Sequence, residues 1–459
     1  MNEAAQWQIS VSVILPHPVQ PAILVCREEN CWRLPQFSMP KLWVEPLDRL
    51  NDAVRERFGL ETTVLQVRER SEDESTHQAQ QTYLLENPGP ALPLTGDQRW
   101  VGSGDLDEVE FARPPQRASV ERYLCELETG VTPALRTPSA RPGWRRVAEE
   151  WIKSQLAQAG YTITGPIELV RNWFLSCVLR APTQQGQVYF KASHGTPLMV
   201  REAQLTQALA GLFPGALPTP IAIEPGQDWM LLADFGPEVG WGAPVETREA
   251  VLRSFARLQI ASAGRVDELL ALGCVDRRLT RLADQIDPLF HDAEMVDYLD
   301  EEQQRRLPAT ADRLKVLCDC LAHYRVPATL MHGDMHMSNV ARRADDFLFF
   351  DWSDACITHP FLDMIEILHE REQEAQMRLC DSYLAQWTDY EPMERLLEMW
   401  KMAYPLCALH QAVSYQAILA NTEDACKTEL AWAIPHWFSK ILTALDEERE
   451  PALRTSSSR

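Results

Sequence analysis

The spacing of apolar positions changes along the chain and divides it into regions. Over residues 8–26, Val, Ile and Leu alternate or cluster (QISVSVILPH, then AILVC), which predicts two short strands around a proline-rich turn. Residues 46–58, PLDRLNDAVRERF, carry apolar groups at helical spacing and run into Gly59, a residue suited to a helix C-terminus. ETTVLQV and QQTYLLE predict further strands, and ASVERYLCELE (118–128) predicts a closing helix. Residues 1–129 therefore read as a small α+β domain.

Periodicity all but disappears in GVTPALRTPSARPG, 130–143, where prolines and small polar residues predict a linker. After it, WRRVAEEWIKSQLAQAG predicts an amphipathic helix, and ITGPIELV, FLSCVLRA and QVYFKAS predict strands. A helix over 197–212 and the strand-like TPIAIE and WMLLADF complete a β-rich lobe, 144–240. From about residue 245 the pattern is helical, except around 328–352, giving a larger lobe over 241–447. A β-rich lobe followed by a helical lobe is a bilobal arrangement. Residues 448–459 read as a disordered tail.

Composition adds exclusions. No run of apolar residues is long enough to span a bilayer, and MNEAAQWQIS lacks the basic and apolar regions of a secretion signal. The eleven cysteines form no repeated CxxC pattern, and Cys318 with Cys320 is a lone CxC in a helical pattern, expected as two partly buried thiols. These features predict a cytoplasmic protein with no membrane partner. The net charge of -22 repels phosphate backbones, so nucleic acid is not an expected partner. A solvated acidic surface accounts for it, although it would also suit a cationic substrate.

Candidate chemistry concentrates in LMHGDMHMSNVARRADDFLFFDWSDA, 330–355. An apolar strand end leads into His332-Gly333-Asp334, and Asn339 follows at the spacing that kinase catalytic loops use between Asp and Asn. A hairpin-like stretch then delivers Asp351. Phosphoryl transfer needs a carboxylate to accept the attacking hydroxyl's proton and hard oxygen ligands to hold Mg²⁺ against the phosphates. Asp334, Asn339 and Asp351 supply that set. Two other readings compete: a zinc site at the HxxxH pair His332 and His336, which Gly333 and the loop character disfavour, and simple solvated turn acids.

HGDMHMSN followed by FFDWSDA resembles the HGDxHxxN…DW signature of the aminoglycoside phosphotransferase family, which includes choline kinases and is related to protein kinases. The resemblance covers roughly residues 145–445 and is specific near 330–363. It implies a bilobal protein-kinase-like fold, ATP (or GTP) and Mg²⁺ as cofactors, and a small hydroxyl-bearing substrate. It makes Asp334 the catalytic base, His332 an orienting residue, and Asn339 and Asp351 the metal ligands. Asp363 in HPFLDM matches an acidic residue that commonly follows and would support the catalytic loop. Upstream, Lys191 in QVYFKAS would meet the nucleotide phosphates, held by Glu202 of the next helix. A GxGxxG loop is absent from the turn between IELVRN and FLSCVL, where Asn172, Trp173, Phe174 and Ser176 stand instead. Asn172 and Ser176 are the candidate phosphate contacts there, with Met230 and Ala233 of WMLLADFG at the nucleotide base.

CWRLPQFSMPKLWVEPLDRLNDAVRERFGL, 31–60, resembles a Nudix hydrolase segment in its WxLP start and its ERFGL end. The pattern departs from that family where metal would bind. Gln36 and Phe37 replace glycines, Asp52-Ala53 stands where Arg-Glu is expected, and Arg57 lies beside the one remaining glutamate, Glu56. The expectation is a Nudix-like fold without hydrolase activity that serves as a docking module for a protein partner. Two other outcomes stay open: a nucleotide-binding pseudokinase scaffold, and a metal-dependent hydrolase in residues 1–135.

Overall fold

A computed structural model describes residues 8–28, 30–39, 47–73, 76–343 and 346–447. The tail 448–459 and residues 40–46 of the Nudix-like run lie outside the described residues. The fold is mixed α+β, with a sheet-containing N-terminal region and a helical C-terminal part. No helix among the described residues is long and apolar enough to cross a membrane. Two compact units are present. One takes the chain up to His194 with Trp229–Asp234 and Asn421–Leu430, and the other takes Gly195–Asp228, Phe235–Ala420 and the chain from Ala431 onward. Residues 130–143 lie inside the first unit.

The first unit begins with a mixed sheet in which Gln8–Ile14 runs parallel to Gln78–Glu86 and antiparallel to Gln36–Met39, while Thr63–Asp73 pairs antiparallel with Gln78–Glu86. Alternation places Val11 and Val13 fully inside. The helices Asp48–Phe58 and Pro114–Thr129 bury Leu50 and Val54, and Val120 and Leu124. Gly59 ends the first of these at φ 69°, donating to the Arg55 carbonyl, a left-handed cap that glycine adopts without Cβ strain.

The strands Glu168–Asn172, Ser176–Thr183, Gly186–Ser193 and Trp229–Ala233 pair antiparallel in that order. Trp144 and Trp151 of the helix Trp144–Gln158 pack on Phe190 and Trp229, with ring centroids 5.4–6.1 Å apart. Residues 130–143 are docked at Arg136, Ser139 and Ala140, which are buried, whereas Val131 and Leu135 are exposed. Their Arg136 is buried and bonds Glu126 at 2.8 Å and Glu423 at 2.6 Å, while Arg68 meets the same two carboxylates at 3.2 and 3.1 Å. Each buried charge in this cluster therefore has an opposite partner.

In the second unit the long helices are Val245–Ser262, Glu301–Leu321, Met393–Ala420 and Ala433–Glu447. Glu301–Leu321 starts at a capping box of Asp300 and Gln303 and buries Leu307, Ala311, Leu314, Cys318 and Leu321 along one stripe. Cys320, two residues from Cys318, is exposed on another face, so the two thiols are not alike in burial. Short strands interrupt the helices: Thr329–Met331 pairs with Cys356–Thr358, and Val340–Arg343 pairs with Asp346–Phe349.

Candidate active site

The buried strand Thr329–Met331 ends in a turn that only glycine can make. Gly333 has φ 88°, and a Cβ on it would lie 2.3 Å from the Asp354 carbonyl oxygen. Buried acids hold the turn from behind. Asp363 accepts from the backbone N–H groups of His332 at 2.6 Å and Gly333 at 3.0 Å. Glu366 accepts from Met337 N–H at 3.3 Å and is anchored by Arg248 at 2.6 Å, while the Gln411 amide donates to the Gly333 carbonyl at 2.7 Å. Burial, with the backbone donors opposing it, pushes Asp363 up to about 7.

His332 is fully buried and tied at both ring nitrogens. Nδ1 accepts from Asp334 N–H at 3.3 Å, so Nε2 carries the proton it donates to the Phe350 carbonyl at 2.8 Å. Burial holds this imidazole below its usual pKa, and its ring packs against Trp352 at 4.6 Å. With both nitrogens engaged, His332 offers no metal a lone pair, which removes the zinc reading of His332 and His336. It ties Asp334 to the peptide preceding Asp351.

Asp334 keeps 48% of its side-chain surface accessible. Its carboxylate lies 3.4 Å from His336 Nε2, and the Asn339 amide nitrogen donates to its carbonyl at 2.9 Å and to its carboxylate at 3.3 Å. Desolvation would raise the Asp334 pKa, but the hydrogen bond and charge of His336 reverse this and hold it below the usual range. His336 is correspondingly raised: burial opposes its charge and Asp334 outweighs that. The indole of Trp241 stacks on His336 at 4.5 Å and 22°.

The hairpin delivers Asp351 in a left-handed conformation, φ 68°, unusual for a residue with a side chain. Ser353 Oγ donates to Asp351 at 3.3 Å and to Asp354 at 3.0 Å. Burial and then the Asp334 charge push Asp354 up to about 7, and Asp351 adds to it. Carboxylates that raise one another's proton affinity in this way favour a cation among them. The donor chemistry fits Mg²⁺: with its nitrogen turned to Asp334, Asn339 would ligate through Oδ1, and Asp351 through a carboxylate oxygen. Among the described residues no three His, Cys, Asp or Glu side chains converge into a metal site by themselves. Mg²⁺ commonly takes one or two protein carboxylates and completes its shell with water and phosphate.

The remaining candidates are placed as follows. Lys191 lies in Gly186–Ser193, opposite Met230 and Val178. Met230 is 2% exposed, within the packed sheet, whereas Ala233 is exposed at its strand's end. The Asn172 amide nitrogen donates to the carbonyls of Val64 (3.3 Å), Leu65 (2.7 Å) and Ser139 (3.2 Å), so the donor expected for phosphate is engaged inside the fold. Ser176 Oγ accepts from Trp173 Nε1 at 2.8 Å, closing the turn on itself. Glu202 opens the helix Glu202–Leu212, wholly buried, with Asp228 capping its first N–H groups at 3.1 and 2.8 Å. Lys191 and Glu202 belong to different compact units.

Glu366 and Gln411 went unnoticed in the sequence because nothing in an isolated helical segment marks a side chain that turns back to a distant loop. Asp354 stood in the quoted motif without a role. In the Nudix-like run, Arg57 donates to the Gln36 carbonyl at 2.9 Å and lies 5.6 and 5.1 Å from the rings of Phe37 and Phe58.

Residues 183–396 match the model of a family described as APH, the phosphotransferase enzyme family. Among curated proteins no sequence matches. Similar solved structures include a macrolide 2'-phosphotransferase type I, 16% identical over 63% of this chain and 97% of that one, TM-score 0.45. A choline/ethanolamine kinase family protein from Mesorhizobium loti is 16% identical over 65% and 99%, TM-score 0.46. A Plasmodium vivax ethanolamine kinase is 10% identical over 75% and 97%, TM-score 0.47.

Proposed function

We propose, because residues 183–396 match the model of the phosphotransferase enzyme family, that the protein moves the γ-phosphoryl of ATP or GTP onto a hydroxyl of a small molecule at Asp334. The observation that carries this reading is the half-exposed Asp334 carboxylate, fixed by Asn339 and paired with His336 at a turn that Asp363, Glu366 and Gln411 brace.

Asp334 accepts a hydrogen bond from the acceptor hydroxyl and points its oxygen at the γ-phosphorus. As the new O–P bond forms and the bond to the β–γ bridging oxygen breaks, the hydroxyl proton passes to Asp334 and then to solvent. A carboxylate held below its usual pKa is a weak base, so orientation matters more than early proton removal, as suits a loose transition state. His336 keeps Asp334 ionised and restricts its rotation. Asn339 Oδ1 and Asp351 would hold Mg²⁺, which neutralises phosphate charge when bound. Lys191 is proposed as the cation for the nucleotide phosphates, with Glu202 as its support, and Ala233 as a backbone contact for the base.

A second reading, a nucleotide-binding scaffold without turnover, draws on Asn172 and Ser176. The Asn172 amide nitrogen is engaged within the first unit, which takes that donor from phosphate, while Ser176 Oγ accepts from Trp173 and keeps its own O–H donor. A Nudix-like docking role for the N-terminal domain goes with either reading.

Thermal shift with Mg-ATP and Mg-GTP, then nucleotide consumption across amino alcohols, sugars, nucleosides and aminoglycosides, separates the two. The enzyme reading expects binding and consumption that depends on one acceptor class. Binding with no acceptor-dependent consumption anywhere in the panel would favour the scaffold.

A further inference from the structure

The two histidines of the 332–354 turn are held in different ways. His332 is fully buried, and hydrogen bonds at both ring nitrogens fix the plane of its imidazole. His336 keeps 17% of its side chain accessible, and its contacts to the turn are made by Nε2. That nitrogen lies 3.4 Å from the Asp334 carboxylate and 3.2 Å from the Asn339 amide nitrogen. The other ring nitrogen, Nδ1, is buried and has no hydrogen-bond partner among the described residues. The outer torsion of a histidine is broad and soft, so contacts at one nitrogen do not fix the ring plane.

Trp241 supplies that constraint. Its indole lies on the His336 imidazole with centroids 4.5 Å apart and 22° between the planes, close to parallel. The indole's own position is set by backbone. Val239 N–H donates to the Val340 carbonyl at 2.7 Å and Gly240 N–H to the Met337 carbonyl at 3.0 Å. Glu238 forms an antiparallel bridge with Ala341, and Gly240 turns at φ 78° just before the indole. Residues 236–241 thus form a strap along residues 337–341, and both segments belong to the second unit. Trp241 is 55% exposed, so removing its ring leaves no cavity in the core.

We propose that Trp241 is a positioning residue for phosphoryl transfer. Its indole fixes the plane of the His336 imidazole, and His336 in turn restricts the Asp334 carboxylate to the orientation that meets the acceptor hydroxyl. The inference rests on the phosphotransferase reading above and adds to it a residue that acts through His336. Without the indole, the imidazole turns about its Nε2 contact and Asp334 rotates more freely. Transfer then slows, because a misdirected carboxylate loses the near-attack geometry, while nucleotide binding is untouched. Phenylalanine keeps a face for the imidazole, whereas leucine keeps apolarity without a face.

The test measures kcat and the nucleotide KM of Trp241→Leu and Trp241→Phe, alone and combined with His336→Ala, on the acceptor found in the panel. Trp241→Leu should lower kcat about five- to tenfold at constant nucleotide KM, and Trp241→Phe should retain most of the rate. With His336→Ala present, the same leucine substitution should change kcat by less than about twofold, because the ring it positions is gone. A merely structural role would give an equal loss in both backgrounds. The stack itself is read by NMR of isotope-labelled imidazoles, where Trp241→Leu should shift the His336 signal by removing the indole ring current. Unchanged kcat in Trp241→Leu, an equal loss with and without His336, or an unmoved His336 signal would overturn the proposal. No turnover by the natural chain would overturn the phosphotransferase reading and this proposal together, whereas turnover that Trp241→Leu leaves unchanged overturns this proposal alone.

Discussion

The two units of this protein use buried charge differently. At the 332–354 turn, buried acids accept from backbone N–H groups: Asp363 from His332 and Gly333, and Glu366 from Met337. In the first unit, buried charges satisfy one another, as Arg68 and Arg136 do with Glu126 and Glu423. The first arrangement leaves Asp334 accessible, with its charge paired to His336. The second neutralises every member and leaves nothing for a substrate. Arg57 in the run 31–60 is of neither kind: it is exposed, donates to the Gln36 carbonyl and lies beside the rings of Phe37 and Phe58.

The largest test of this contrast is Arg136→Ala. It leaves two carboxylates sharing one buried arginine, and unfolding stability should fall by about 3–5 kcal/mol by denaturant titration. A loss under about 1 kcal/mol would mean that the cluster is solvated and unlike the description above. Gly333→Ala forces a Cβ onto the Asp354 carbonyl in a left-handed turn, and should cost about 3 kcal/mol along with phosphoryl transfer.

Glu429 sharpens the comparison because it is the imperfect member of the first unit. Burial pushes its carboxyl up to about 7, with Arg70 and Arg171 only partly opposing, and among the described residues Oε1 has no hydrogen-bond partner. A carboxyl whose folded pKa is raised binds its proton more tightly in the native state, so stability falls as pH rises from about 4.5 to about 7. Glu429→Gln should therefore stabilise the protein at pH 7.5 by about 2 kcal/mol and have little effect near pH 4. An equal effect at both pH values would contradict the titration. The smallest effect is expected from Arg57→Ala, about 1 kcal/mol of stability with no change in phosphoryl transfer.

The sequence made the candidate turn at 332–354 legible because its residues are local. HGDMHMSN and FFDWSDA each fit within a few residues, and Gly333 is required by a steric contact that the motif already encodes. The helix Asp48–Phe58 and its Gly59 cap were legible for the same reason. What escaped depends on long-range partners. Arg136 sits in a proline-rich stretch that reads as linker, yet its main partner, Glu423, lies 287 residues away. Asn172 reads as a phosphate contact by position, whereas its amide is drawn to carbonyls more than a hundred residues earlier in the chain. Gln411 reaches Gly333 from the middle of a helix whose pattern announces only burial.

The most direct measurement is transfer of the labelled γ-phosphoryl from nucleotide to the acceptor identified in the panel, comparing the natural chain with Asp334→Asn. The substitution preserves size and removes the charge, so transfer should fall by a factor of about a thousand or more while nucleotide affinity is retained. Transfer at the natural rate by the Asp334→Asn protein would contradict the account.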